Sequence, residues 1–337
     1  MVFLLFLTFM DSQVEYVMIR NKKLSYILRT KIHFLLLGIV LHRFVFESHL
    51  YDYFTDINYV IISFIGFLIG FQLRAEFLRK LPIKDLLQIV LRSAILILFF
   101  FISGFILTKN IYVSGLLAII TSTLSYYYLF VKGAGKMRIY IFSVLTAFLF
   151  IFALENYNET LINILLKVLL IISLSYFFIL AVSQRKLVEI YILLIGFLLI
   201  LSGISRKLDI SNLTFSFFMG FIITNIRFES KKKLENTLLN LETPMFSLML
   251  FVLGLLVYLP HLKYFLIMTV FWIMGIFGRT LMFKEVKLHL PLTQVAILFL
   301  FDFHGRFNQP FVSSFALLYI LSNVSIFFLR KDDKKIF

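Results

Sequence analysis

The sequence predicts an all-α, polytopic membrane protein, and three observations carry that class. Of 337 residues, 61% are apolar and only 15% charged, the apolar residues run in continuous blocks, and the basic residues alternate between sparse and dense gaps separating those blocks. Soluble domains are ~45–50% apolar and ~25% charged, so no aqueous core could hold this surplus. In lipid only helices and closed barrels satisfy their own backbone hydrogen bonds. A barrel would show alternating strands of ~10 residues between polar turns, which these continuous blocks do not. The chain has no cysteine, which removes disulfides, thiolate nucleophiles and Cys-ligated metals.

The elements follow in order. Residues 1–31 form a cytoplasmic or interfacial N-terminal segment: MVFLLFLTFM is too short to span and runs into Asp11, without the basic start or small-residue cleavage site of a signal peptide. Twelve apolar blocks then read as helical spans at 32–47, 57–73, 86–107, 111–131, 138–154, 161–183, 187–204, 212–226, 243–259, 261–283, 290–303 and 310–329. Residues 330–337, RKDDKKIF, are a short solvated cytoplasmic tail. No linker, low-complexity stretch or second domain interrupts 32–329, which reads as one transmembrane transporter domain.

The net charge of +15 admits nucleic acid, anionic lipid or topology as its cause, and the placement of the charges decides. One side of the predicted membrane collects Arg20, Lys22, Lys23, Arg29, Lys31, Arg74, Arg79, Lys80, Lys84, Lys132, Lys136, Arg138, Arg185, Lys186, Arg227, Lys231, Lys232, Lys233, Arg279, Lys284, Lys287, Arg330, Lys331, Lys334 and Lys335. The other side holds Arg43, Lys109, Arg206, Lys207, Lys263 and Arg306. The positive-inside rule turns this asymmetry into an orientation with both termini cytoplasmic, in a cell (inner) membrane, and leaves nucleic acid out as a partner. Arg92 and Lys167 lie deeper within spans, where each can snorkel to its nearer interface.

An internal repeat is visible. His33 to Leu41 and Phe215 to Ile223 are both short spans centred on glycine, Gly38 and Gly220; Phe67-Leu68-Ile69-Gly70 and Phe251-Val252-Leu253-Gly254 share F-x-x-G. Within each copy the two glycines are separated by 32 (Gly38 to Gly70) and 34 (Gly220 to Gly254) positions, and the two copies lie seven crossings apart. An odd offset inverts the second copy across the membrane, giving repeat one (32–154), linking helices (161–204) and repeat two (212–329). With the basic loop GFQLRAEFLRK, a Thr-Ser span and the later GFIITN…ETPMFSLMLFVLGLLVYL, this order resembles the monovalent cation:proton antiporter superfamily over most of residues 32–329. The resemblance implies an antiporter-like fold of two inverted five-helix repeats, a dimerisation domain and hence a homodimer, and a core domain that moves in alternating access. It also implies that the fourth and eleventh helices, here 111–131 and 290–303, break at mid-membrane and cross.

Broken helices bind ions because unwound backbone turns carbonyls and helix-end dipoles toward a cavity. Four hydroxyls in five residues, Thr121, Ser122, Thr123 and Ser125, mark that place in the first copy, and Thr293 and Gln294 in the second. Thr123 stands where the family often has proline, which leaves a continuous helix open as well; the hydroxyls either coordinate an ion or bond back to carbonyls one turn earlier. The resemblance also implies an acidic or Asn-Asp pair in the fifth helix, and 139–154 carries none; Ser143 and Thr146 are its polar groups, apart from Tyr140 near one end. Hydroxyls do not titrate near neutral pH, so this departure speaks against proton exchange. Lys167, Arg279 and Asp302 are lesser candidates. Asp302 suits an interfacial pair with Arg306 four residues on, and Arg279 occupies the helix where the family often has a basic residue, although its place near the span end suggests the interface. The six histidines show no metal-ligand spacing, and no cofactor is implied.

The expected function is a transporter of the cation:proton antiporter type, moving Na⁺ or K⁺ against protons by alternating access within the lipid bilayer. The alternative is a non-proton-coupled or transport-inactive relative, carrying another small solute or serving as a scaffold or sensor. An intramembrane enzyme is not expected, for no HExxH, GxSxG, Cys or paired-Asp signature occurs.

Overall fold

The computed structural model describes residues 31–46, 50–73, 83–123, 134–208, 210–257, 261–283, 294–302 and 309–329. Within them are twelve α-helices, one for each apolar block: α1 Ile32–Phe46, α2 Leu50–Gln72, α3 Ile83–Thr108, α4 Ile111–Ser122, α5 Ala134–Glu155, α6 Leu161–Val182, α7 Leu187–Lys207, α8 Asn212–Asn225, α9 Lys231–Leu255, α10 Leu262–Phe283, α11 Gln294–Asp302 and α12 Gln309–Leu329. Five of them, α3, α6, α7, α9 and α10, are long and apolar enough to cross a membrane. They make the chain an integral membrane protein. Their outward faces agree: Leu161, Phe177 and Leu180 of α6 are 74%, 62% and 75% exposed, which only a lipid solvent tolerates in such numbers.

Three helix ends differ from the spans for physical reasons. α2 begins at Leu50, seven residues early, and α9 at Lys231, twelve residues early; both extensions carry charged residues that hydropathy excludes from a span but that helical backbone accepts. α9 continues through Pro244, whose ring removes one backbone hydrogen bond from its interior. α4 stops at Ser122, nine residues short of the expected end. Asn110 caps its start through backbone amides of Tyr112 and Val113 (3.0 and 3.1 Å), and Thr123 ends it in an extended conformation (φ −78°, ψ 147°).

The chain divides into two compact units, residues 1–51, 83–147 and 250–337 in one and 52–82 and 148–249 in the other. In the first unit α4 packs between α3 and α10, with α11 also against it and α12 against α10. Gly104 of α3 lets that helix sit close to Ser114, and Phe100 meets Phe271 with ring centroids 6.2 Å apart. In the second unit α8 is the buried centre, flanked by α6 and α7. Phe217 of α8 stacks on Phe148 (centroids 3.7 Å, planes 7° apart) and Phe178 of α6 on Phe197 of α7 (4.2 Å). Such pairs add about 0.5–1.5 kcal/mol each to the burial of the rings.

Each unit contains one backbone-to-backbone crossing made by the glycines that mark the repeat. In the first, Gly38 of α1 meets Gly254 of α9; in the second, Gly70 of α2 meets Gly220 of α8. A methyl group on any of the four would fall on a carbonyl oxygen, that of the residue three before the partner glycine: Phe251, Leu35, Phe217 or Phe67. It would also lie 2.9 Å from the amide nitrogen one residue after the partner. The two crossings thus share the same carbonyl and amide neighbours, and both need glycine because no Cβ fits.

Glu155 ends α5 and ties it to α8. One carboxylate oxygen accepts from the Ser211 amide and the other from the Thr214 hydroxyl (2.8 Å), placing negative charge on the first turn of α8, whose N-cap is Ser211. The carboxylate thus acts as a cap on α8. Glu155→Ala should cost about 1–3 kcal/mol by leaving two donors unmatched, a loss readable as a lower midpoint of thermal unfolding in detergent.

Candidate functional site

The site is built where α4 ends. Its three hydroxyl residues are buried, and each bonds back into its own helix: Thr121 shares its hydrogen between the carbonyls of Leu117 (2.9 Å) and Ala118 (2.8 Å), Ser122 donates to Ala118 (2.6 Å), and Thr123 donates to Ile119 (2.6 Å). Back-bonding of this kind weakens and bends helices. Three in succession, the last of them extended, mark the place where α4 stops without proline.

Arg279 of α10 completes the arrangement. It is the only charged side chain fully buried among the described residues, and its Nη1 donates to the carbonyls of Ile120 (3.0 Å) and Thr123 (2.7 Å). Five carbonyl acceptors at the end of α4, those of Leu117, Ala118, Ile119, Ile120 and Thr123, therefore each receive a side-chain hydrogen bond. A guanidinium at a helix C-terminus also meets the negative end of the helix dipole, an arrangement worth up to about 2 kcal/mol when partly buried. Gly275, one turn before Arg279 on the same face of α10, explains the reach: a methyl group there would lie 2.6 Å from Thr121 Cα, so only glycine lets α10 come close enough.

The sequence places Arg279 near an interface, whereas the structure buries it completely. A basic residue near a span end ordinarily snorkels, and the overlooked signal was the glycine four positions earlier, which brings the helix backbone against its neighbour. Ser143 and Thr146 lie on consecutive turns of α5 in the same unit as the end of α4, and both are buried. The Ser143 hydroxyl has no hydrogen-bond partner among the described residues. α11, nine residues long and opened by Gln294, packs against α4. Thr293 and Ser125 lie outside the described residues, as does Arg306, the expected partner of Asp302; Asp302 itself is partly exposed at the end of α11.

Lys167 is held at the end of α6 near its loop. Its Nζ donates to Asn156 Oδ1 (2.9 Å) and lies 3.5 Å from Glu159. No group of three or more His, Asp or Glu residues among the described residues could hold a metal ion.

No protein-family model matches the chain, and no curated protein matches it closely enough to count as a relative. The chemistry must be read from the geometry itself. What the end of α4 offers is a set of helix-end carbonyls, the ligands an alkali cation would take, already engaged by hydroxyls and by the Arg279 guanidinium.

Proposed function

We propose that this protein is an alternating-access membrane transporter of the antiporter-like fold, in which Arg279 takes the place of a transported cation and movement of a small solute is not coupled to protons. The single observation that carries this reading is the bond from Arg279 Nη1 to Ile120 O and Thr123 O at the interrupted end of α4. Its complement is the fifth helix, which has no carboxylate between Tyr140 and Leu154 to exchange a proton.

Twelve membrane crossings in two inverted repeats belong to the same proposal. A two-fold relation that exchanges α1 with α8 and α2 with α9 turns the α1–α9 contact into the α8–α2 contact. The matched glycine crossings, with the same −3 carbonyl and +1 amide neighbours, support that relation. A homodimer and cytoplasmic termini are part of the proposal on the strength of the family resemblance and the charge asymmetry.

Two measurements test it. In proteoliposomes with an imposed pH gradient, Na⁺, K⁺ and Li⁺ should leave the gradient unchanged; cation-dependent collapse, lost in Ser122→Ala or Thr146→Ala, would establish cation:proton exchange instead. Since the chain contains no cysteine, Ser143→Cys supplies a single thiol. Alternating access predicts that membrane-impermeant thiol reagents modify it from either side, and reaction from neither side or one side alone would leave a scaffold rather than a transporter.

A further inference from the structure

A basic surface forms in the second unit where the α6–α7 turn and the α8–α9 turn come together. Lys233 Nζ donates to the Arg185 carbonyl (3.2 Å), linking the two turns, and Lys231 Nζ donates to the Thr224 carbonyl at the end of α8. Arg185, Lys186, Arg227, Lys232 and Lys233 are exposed there. The acidic residues of the same turns are Glu189, 3.6 Å from Arg185, with Glu229 and Glu235. Lys186, Arg227 and Lys232 make no side-chain hydrogen bond or ion pair with the described residues, so three cations face outward unneutralised. The first turn of α9 is itself Lys231-Lys232-Lys233, with no acidic residue in that turn. Within the protein this is an electrostatic liability, and an external anion would relieve it.

Next to the charges lies apolar surface. Leu180 precedes the α6–α7 turn and Val188 follows it, 75% and 68% exposed, with Phe177 one turn further along α6. Positive charge bordered by exposed aliphatic and aromatic side chains matches an amphiphile with an anionic head and acyl tails, more closely than it matches a soluble anion, which has no use for the apolar border. We infer that the joined α6–α7 and α8–α9 turns bind an acidic membrane phospholipid, its phosphate against Lys186, Arg227 and Lys232 and its chains along α6 and α7.

The test uses the full-length protein purified in detergent and titrated with phosphatidylglycerol, phosphatidylcholine or inorganic phosphate, reading both the unfolding midpoint and lipid retained in native mass spectrometry. Phosphatidylglycerol should be retained and should raise the midpoint, while phosphatidylcholine and phosphate should not. At about fivefold per basic residue near a membrane surface, the combined Lys186→Gln, Arg227→Gln and Lys232→Gln variant should bind phosphatidylglycerol on the order of a hundredfold more weakly. Lys263→Gln, in the other unit, should bind as wild type does. Lys186→Gln alone, expected about fivefold weaker, reads the same surface if the combined variant folds poorly. Equal retention of phosphatidylcholine, an undiminished affinity in both variants, or a response to inorganic phosphate equal to that of phosphatidylglycerol would overturn the inference.

Discussion

Replacing Arg279 by leucine should destabilise the protein by about 2–5 kcal/mol, because the carbonyls of Ile120 and Thr123 would stay buried after losing their donor. The measurement is the thermal unfolding midpoint in detergent. Leucine fills much of the vacated volume, so the loss reports the hydrogen bonds and the charge at the helix end rather than a cavity. Arg279→Lys separates those two contributions. It keeps the charge, but its shorter reach and single ammonium cannot serve both carbonyls with the same geometry, and it should recover only part of the loss. A leucine variant as stable as wild type would show that the guanidinium does not hold the end of α4, and the proposed role as a resident cation would fall with it.

The second large effect belongs to the glycine crossings. Gly70→Ala or Gly220→Ala sets a methyl group against the backbone of the opposing helix, and because the obstacle is main chain the helices must separate. Overpacking of this sort costs about 1–3 kcal/mol, and here it lies at the upper end because no side chain can rotate away. Gly38→Ala and Gly254→Ala should behave alike, since their surroundings are the same. Gly196→Ala and Gly203→Ala on α7 are the contrast: nothing lies within 4 Å of the added methyl group, and helix propensity alone should gain about 0.5–1 kcal/mol. Equal midpoints across all six variants would remove the crossings as determinants of stability.

Hydropathy located the twelve helices of the described residues because blocks such as 161–182 are continuous and nearly free of charge, the condition under which sequence reading is strongest. It misjudged ends wherever a helix leaves the apolar layer, as at Leu50 and Lys231, since backbone hydrogen bonding does not stop where hydrophobicity does. The hydroxyl run at 121–123 signalled an irregularity in α4, and there the helix ends. Its partner was harder to see. Arg279 is one of many basic residues near span ends, and only the closeness enforced by Gly275 against Thr121 turns it inward; that closeness is a three-dimensional fact with no periodicity to announce it. Glu155 was similarly hidden, because the donors it satisfies lie some 56 to 59 positions away.

The accounting at the end of α4 bears on hydration. Unwound backbone inside a membrane ordinarily needs a wet cavity, with water completing the hydrogen bonds that the helix gave up. Here the hydroxyls of Thr121, Ser122 and Thr123 and the guanidinium of Arg279 perform that service from within the protein. The end of α4 can therefore persist in a dry interior, its carbonyls satisfied without water.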